Sequence, residues 1–204
     1  SPQIDTPERG FSFAADGPLD MRMDPSSGQS AADWLTSADE RDMSRVIRQF
    51  GEERFARRIA AAIAKARDER PLTTTGELAD IVAGAVPRTK DRIHPATRTF
   101  QAVRIFINDE LGQLTRVLPQ AVDALRVGGC LAVICFHSLE DRIVKRFFRD
   151  GSRADPVFAG LPDIPQHAQP VLATVTRRAR AGDAELADNP RARSATLRAV
   201  RKVR

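Results

Sequence analysis

The chain has 204 residues, a hydrophobic content of 42% and a formal net charge of +5, so its length suits one domain or a core with a smaller insertion. No apolar run approaches the roughly 20 residues that span a bilayer, and no signal-peptide pattern opens the chain. These features exclude a membrane-spanning protein. Cys130 and Cys135 lie too far apart on one predicted strand to form a disulfide, and both are interpreted as small buried residues, which fits a reducing, cytoplasmic setting.

Positive charge is concentrated near the C-terminus. From Glu140 onward there are 14 Lys and Arg residues against 8 Asp and Glu residues. A basic segment of this kind suits a polyanionic partner, most simply RNA or DNA. The alternative is that arginine serves only solubility.

Residues 1–30 predict a long loop, since they are rich in glycine, proline and aspartate and show little periodicity. Large apolar residues are interspersed through the segment, which favours an ordered loop over a disordered one. These residues are Phe11, Phe13, Leu19, Met21 and Met23.

Residues 31–95 predict a helical insertion domain. Three capping boxes open helices near residues 31–36, 38–50 and 75–85. The boxes pair Ser30 with Asp33, Ser37 with Glu40, and Thr74 with Glu77. Residues 52–69 form a fourth helix with an apolar residue at every fourth position.

A long helix is predicted after residue 95, with Phe100, Val103, Ile107, Leu111 and Leu114 on one side. Pro119 is expected to start a further helix, which stops at Gly128-Gly129.

Seven consecutive apolar residues, 130–136, predict a buried parallel strand covered on both faces. A capping box of Ser138 with Asp141 then opens a helix. A buried strand that runs into a capped helix is the half-unit of a doubly wound α/β sheet. In such sheets ligands bind beyond the carboxyl ends of the strands, where His137 lies. Residues 171–176 and 195–200 predict two closing strands.

Several kinds of chemistry are poorly supported. Ser138 lacks the G-x-S-x-G turn of a hydrolase nucleophile, and capping accounts for it. Metal ligation is not indicated, because the three histidines are scattered and no metal-binding spacing occurs. Neither a G-x-G-x-x-G loop nor a P-loop is present. His137 can have a catalytic role or can simply pack against its neighbours, and the sequence does not distinguish the two.

Positive and aromatic side chains suggest nucleic-acid contacts. Trp34 can stack on a base or belong to the core. Basic residues between 88 and 104 concentrate charge at a turn and a helix start, where phosphates bind readily, although a solvated face explains them equally well. Those named as RNA-binding candidates are Arg92, His94, Arg98 and Arg104.

Several blocks resemble the bacterial cytosine-N4 methyltransferases of small-subunit ribosomal RNA, the RsmH or MraW family. The resemblance extends over nearly the whole chain, with the blocks in the family's order. They are Ser1-Pro2-Gln3, Glu8-Arg9-Gly10-Phe11-Ser12-Phe13, residues 16–24, Gly51-Glu52-Glu53-Arg54-Phe55-Ala56, residues 94–102, residues 136–145 and residues 189–194.

This resemblance implies an S-adenosylmethionine-dependent enzyme that methylates a cytidine of 16S ribosomal RNA in the small subunit. It also implies a Rossmann-like class I methyltransferase sheet with an all-α inserted domain. Gln3 matches a cofactor-contacting position, and Ser1 and Pro2 match the position of the amino-methyltransferase motif. That motif's aromatic residue is missing here, so Phe11 or Trp34 would stack the base.

The implied roles extend to proton transfer and RNA binding. Asp20, Asp24 and His137 are candidates to accept the proton of the reacting amine, with no order among them. Arg22 joins the RNA-binding candidates. The implied domains are an active-site loop region at residues 1–30, the insertion at 31–95 and the C-terminal part of the methyltransferase domain at 96–204.

The family's glycine-rich cofactor loop is not in this sequence, so we expect the chain to be a piece of a longer protein and inactive or very weak alone. A non-catalytic RNA-binding module is the alternative. A homodimer is left open.

Overall fold

The computed structural model describes residues 2–87, 93–158 and 162–204. These residues form a mixed α/β protein, which confirms the predicted class at that level. Two compact units are present, Ser1–Glu110 and Leu111–Arg204. The three-part division given above stays a prediction.

The first unit is helical. Its elements are α1 (Pro2–Asp5), a short 3-10 helix (Pro7–Arg9), α2 (Ala31–Ser37), α3 (Glu40–Gly51), α4 (Ala56–Glu69), α5 (Thr75–Ala85) and α6 (Ala96–Ile107). Helix α3 packs against α4 and α6. The shared core includes Leu19 and Met21 of the N-terminal loop, which are fully buried, so that loop is an ordered part of the unit as predicted.

Local capping chemistry explains three of these helix starts, those of α2, α3 and α5. The Ser30 and Thr74 boxes form as predicted. The Ser37 box does not, because the Asp39 carboxylate accepts the N–H of Asp42 at 2.7 Å and the helix begins at Glu40. An ionised carboxylate is a strong cap at a helix N-terminus, and two candidates so close together cannot both serve.

The predicted long helix is broken. Helix α6 ends at Ile107, Asp109 has a left-handed φ of 47°, and α7 runs from Glu110 to Ala124. Pro119 lies inside α7 and does not start a helix. A proline within a helix removes a backbone hydrogen bond, but here the helix is already formed two turns earlier and continues past it.

The second unit contains α7, β1 (Cys130–Cys135), α8 (Ser138–Gly151), β2 (Leu172–Ala179), α9 (Asp183–Asp188) and β3 (Thr196–Lys202). It also has 3-10 helices at Pro156–Phe158, Gln166–Ala168 and Pro190–Ser194. The two closing strands are confirmed. Its sheet has the order β1-β3-β2, and both described pairings are antiparallel.

One face of this sheet carries the unit's core. Leu131, Val133 and Cys135 of β1 face inward with Val200 of β3, and they pack with residues of α7 and α8. Lys202 closes the arrangement, because its ammonium donates to the carbonyls of Val122, Asp123 and Leu125 at the end of α7.

The other face of β1 is open, so the prediction of a strand covered on both faces is wrong for the described structure. Ile134 is 58% exposed, and Cys130 is exposed although it was expected to be buried. Of the two cysteines, Cys135 is the buried one. Burial, with the nearby charges of Glu140 and Asp141, raises the pKa of its thiol to about 11 and leaves it protonated.

Candidate functional site

The aspartate loop, defined as residues 16–24, is anchored to the N-terminus of α5. The Asp16 carboxylate accepts the N–H of Gly76 at 2.7 Å and the hydroxyl of Thr75 at 3.3 Å. The Gly17 carbonyl accepts the N–H of Thr75 at 2.9 Å. These bonds, above all that from Gly76, lower the pKa of Asp16. The loop therefore depends on an ionised carboxylate for its anchor.

We predict that acid weakens this anchor. The folded-state pKa of Asp16 lies below its ordinary value, so its contribution to stability is present above that value and lost as the pH falls through the lowered pKa. Asp16→Asn should flatten the loss of stability between neutral and acidic pH, measured as the urea midpoint against pH. Asp42, an exposed aspartate on α3 that makes no contact with the loop's anchor, provides the control through Asp42→Asn. Equal flattening in both variants would contradict the assignment.

A close approach of two backbone segments fixes the start of the loop. Gly10 has a left-handed φ of 71°, and a Cβ there would meet the carbonyl oxygen of Pro18 at 2.3 Å. Only glycine fits such a position without displacing the backbone. The N–H of Met21 then donates to the carbonyl of Arg9 at 3.1 Å, so the N-terminal segment lies directly along the loop.

Asp20 and Arg22 form the polar centre of the loop. The guanidinium of Arg22 donates to both carboxylate oxygens, at 2.9 Å from Nε and 2.7 Å from Nη2. Hydrogen bonding from Arg22 lowers the pKa of Asp20. Both side chains are about one quarter exposed. The pair brings together a proton-transfer candidate and an RNA-binding candidate of the sequence analysis.

Arg9 and Asn108 hold the backbone on which this pair lies. Asn108 donates from Nδ2 to the carbonyl of Met21 at 2.8 Å and accepts the N–H of Met23 at 2.6 Å. Arg9 donates to the carbonyls of Arg22 and Met23 at 2.7 and 2.9 Å. These contacts support Met21 in its left-handed conformation, with φ at 62°. Asp20 and Arg22 are therefore held from both sides of the loop.

Asp24 ends the loop in a turn of its own. Its carboxylate accepts the hydroxyls of Ser26 at 2.6 Å and Ser27 at 3.0 Å. The bond from the Ser26 hydroxyl is the main cause that lowers the pKa of Asp24. Asp24 thus serves the local turn.

The two aromatic candidates are packed. Trp34 is 5% exposed, and its ring centroid lies 4.7 Å from that of Phe106. Phe11 is 8% exposed, with the guanidinium of Arg9 at 5.7 Å from its ring. In this structure Trp34 is a core residue. Phe11 supports Arg9 and, through it, the aspartate loop.

The basic candidates of α6 have partners inside the protein. Arg104 forms a bidentate pair with Glu110 at 2.8 and 3.0 Å. Arg98 lies 3.6 Å from the buried carboxylate of Glu53 and remains half exposed. His94 accepts the N–H of Ala96 at the start of α6. Arg98 and His94 are exposed at this helix end, whereas Arg92 lies outside the described residues.

In the second unit, His137 is the cap of α8. Its Nδ1 accepts the N–H of Glu140 at 3.4 Å, and Glu140 in return accepts the N–H groups of Phe136 and His137. The predicted Ser138 box is therefore wrong by one residue, and Ser138 is the first residue of the helix. Nε2 of His137 is buried, 3.2 Å from Glu140 and outside hydrogen-bond geometry.

Glu140 completes this start of α8. Burial opposes its charge, but contact with the His137 imidazole and the two backbone N–H donors outweigh burial and lower the pKa of the carboxyl. The structure thus gives His137 a structural role, because its Nδ1 accepts a backbone N–H at the start of α8.

Comparison with known proteins decides the family. The profile of the MraW methylase family matches residues 1–203. The chain belongs to the MraW methylase family.

Three relatives share the name ribosomal RNA small subunit methyltransferase H. The protein of Thioalkalivibrio sulfidiphilus is 56% identical over 205 residues, which cover 100% of this chain and 65% of the relative. That of Acidithiobacillus ferrooxidans is 56% identical over 207 residues, 99% of this chain and 63% of the relative. That of Thiobacillus denitrificans is 56% identical over 205 residues, which cover 100% of this chain and 66% of the relative. The chain therefore spans somewhat less than two thirds of each, and the predicted resemblance is confirmed.

The family's N-terminal candidates lie at the edge of the described structure. Ser1 is outside the described residues, Pro2 is exposed and Gln3 is partly buried on α1. The Pro2 carbonyl accepts the N–H of Thr6 at 3.1 Å. A carbonyl oxygen has two lone pairs, so this acceptor retains capacity for a second hydrogen bond.

The MraW-family chain also has site residues that sequence reasoning missed. Arg9 belongs to a block that carried the resemblance, but nothing local indicated that its side chain would hold a loop 13 residues away. Asn108 is 87 residues from Met21 in sequence. A polar side chain at the last turn of an otherwise amphipathic helix was the one available signal.

In the described part of this family member, no helix is long and apolar enough to cross a membrane.

Proposed function

We propose that the complete protein transfers a methyl group from S-adenosylmethionine to N4 of a cytidine in 16S ribosomal RNA of the small subunit. The observation that carries this proposal is the family match over residues 1–203, together with relatives named for methylation of small-subunit ribosomal RNA. The aspartate loop supports it, since it holds an ionised acceptor rigidly in a partly exposed position. A cytoplasmic location stays a prediction, and a homodimer remains open.

Asp20 is suited to orient the cytosine amine. The amine is a weak nucleophile because its lone pair is delocalised into the ring, so acceptors for its hydrogens must align it and bear the positive charge that develops. A carboxylate offers about four lone-pair sites. The backbone N–H and Nε of Arg22 occupy two of these sites on Oδ1, and Nη2 of Arg22 occupies one on Oδ2. One site on Oδ2 is left for a substrate N–H.

Asp20 acts in this scheme as a hydrogen-bond acceptor and electrostatic partner. Its lowered pKa keeps it ionised at neutral pH but makes it a weak base. The proton that leaves N4 therefore passes on to solvent. Arg22 fixes the carboxylate and offers its remaining N–H groups to RNA, in keeping with its place among the RNA-binding candidates.

S-adenosylmethionine supplies an activated methyl group on a sulfonium when it is bound. Partly buried Gln3 has an amide, a donor and acceptor of the kind that recognises such a ligand, and its position at the start of the site segment fits this role. Its neighbours Ser1 and Pro2 are proposed to border the reacting amine through their carbonyls.

The direct test is transfer of labelled methyl groups from S-adenosylmethionine to isolated small ribosomal subunits by the complete protein. Transfer that disappears in Asp20→Ala supports the proposal, and no transfer by the unaltered protein contradicts it. The same assay on residues 1–204 alone tests whether this chain is inactive by itself. RNA binding without transfer would favour the non-catalytic module.

We also propose that the antiparallel sheet is part of a Rossmann-like sheet, with residues 31–95 as its helical insertion. In the described structure, β1 pairs on one side only, and its outer face exposes Ile134 and Phe136. Such a strand needs a neighbour and a cover. The relatives' greater length provides chain for both.

Ile134 therefore behaves as a core residue in the complete protein. Ile134→Asp should lower its free energy of unfolding by about 2 to 4 kcal/mol, the range for placing a polar group in a core. Val175→Asp makes a similar change on the exposed part of β2, where surface substitutions cost about 0.5 kcal/mol plus a loss of strand propensity. Equal losses in urea denaturation would mean that the face of β1 stays open.

A further inference from the structure

A basic surface lies where α8, β2 and β3 meet in the second unit. Arg198 of β3 is 9% exposed and donates to both oxygens of Asp141 on α8, at 2.7 and 2.9 Å. The same guanidinium donates to the carbonyl of Arg177 on β2. One side chain thus fixes the helix and both strands, so cations on α8 and β2 are held in place relative to each other.

Lys145 and Arg178 present charge at this junction. Both are exposed, and α8 packs directly on β2. Their positive charges add to that of Arg198 in lowering the pKa of Asp141, which places both cations near this carboxylate. Asp141 is already neutralised by two hydrogen bonds from Arg198. The charges of Lys145 and Arg178 are therefore in excess, and we call these two residues the α8–β2 basic surface.

The surroundings reinforce the excess. The sequence of β2 contains Arg177 and Arg178 and no acidic residue. On α8, Arg146 is a further exposed cation, while Arg149 is paired with Asp150 at 2.7 Å. Exposed ammonium and guanidinium groups on a rigid frame suit phosphate oxygens, for which arginine offers several N–H donors in one plane.

We propose that the α8–β2 basic surface binds the phosphodiester backbone of the ribosomal RNA substrate. This inference rests on the proposed function, which supplies the RNA. Contacts to phosphate oxygens carry no sequence information, so we expect this surface to contribute affinity without sequence preference. Its residues are not among the RNA-binding candidates of the sequence analysis.

The test compares a double variant with a charge-matched control in the complete protein. Lys145→Ala with Arg178→Ala removes the surface. Arg57→Ala with Lys65→Ala removes the same charges from the exposed side of α4. Binding of 16S ribosomal RNA is measured between 50 and 300 mM salt, and methyl transfer gives kcat and KM.

Each lost phosphate contact should reduce the slope of log K against log salt by about 0.7 to 0.9. The surface variant should therefore lose about 1.5 from its slope, bind about tenfold more weakly near 0.1 M salt, and show a raised KM with little change in kcat. Lys145→Arg with Arg178→Lys should restore both. The control should keep most of its slope and its KM.

Unchanged slope and KM in the surface variant, or equal losses in the control, would overturn the proposal. Self-association with an unchanged slope would also overturn it, because the cations would then protect β2 against edge-to-edge pairing. If the unaltered protein binds 16S RNA but transfers no methyl group, the proposed function fails while the surface is still tested by the slopes.

Discussion

Asn108→Ala should reduce kcat/KM for methyl transfer by about 100-fold, although Asn108 is assigned no contact with substrate. Its side chain makes three hydrogen bonds, to Met21, Met23 and Arg104. Without them the backbone between Asp20 and Met23 loses one of its two supports, and a displacement of about 1 Å at a reacting group costs about that factor. The free energy of unfolding should fall by about 2 to 3 kcal/mol, at roughly 1 kcal/mol per bond.

Gln101→Ala is the matched control for Asn108. Gln101 lies on α6, the helix that Asn108 directly follows, and donates from its amide to the carbonyl of Phe50 at 3.3 Å, without a hydrogen bond to the aspartate loop. The Gln101→Ala variant should be slightly less stable than the unaltered protein and should have the same kcat/KM. Amide hydrogen exchange at Met23 supplies a readout that overall destabilisation would not produce, since only Asn108→Ala removes the acceptor of that N–H. Near-normal kcat/KM in Asn108→Ala would mean that the loop is positioned without it.

Arg198→Ala should strongly destabilise the second unit. It removes both hydrogen bonds to Asp141 and the bond to the Arg177 carbonyl. Breaking a buried ion pair from one side costs about 3 to 5 kcal/mol. Asp141 is one quarter exposed, so solvent compensates in part and we expect the low end, about 3 kcal/mol.

A double-mutant cycle separates the interaction energy of the Arg198–Asp141 pair from the effects of the two single substitutions. Arg198→Met with Asp141→Leu should recover much of the loss, because replacing both charged partners by apolar groups leaves no unpaired buried charge. Arg149→Ala breaks the exposed pair with Asp150 on the same helix and should cost less than about 1 kcal/mol. Urea denaturation of each variant gives the values. A loss for Arg198→Ala no larger than that for Arg149→Ala would contradict the structural role.

Features governed by near neighbours in sequence were predictable. The boxes of Ser30 with Asp33 and Thr74 with Glu77 form as expected, since capping joins residues three apart. Where two caps compete, the local pattern was insufficient. Asp39 and His137 cap their helices in place of Ser37 and Ser138. Closely spaced candidates cannot both serve, and their spacing alone does not say which one does.

Features governed by distant contacts were not predictable. The break at Asn108 and Asp109 depends on hydrogen bonds to residues more than 80 positions away, which no spacing reveals. Trp34 illustrates a different limit. Sequence allowed a stacking residue or a core residue, and only packing against Phe106 places it in the core. The open face of β1 was not predicted for a third reason. A run of apolar residues indicates that both faces of a strand favour burial, but it does not show which part of the protein covers them.

The central claim is tested most directly by nucleoside analysis of the RNA product. Small subunits that lack the modification are incubated with the complete protein and S-adenosylmethionine, and the digested 16S RNA is analysed by mass spectrometry. We expect N4-methylated cytidine at one position, greatly reduced with Asp20→Ala and close to normal with the control Gln101→Ala. Methylation on another base or another atom, or equal product from Asp20→Ala, would contradict the account.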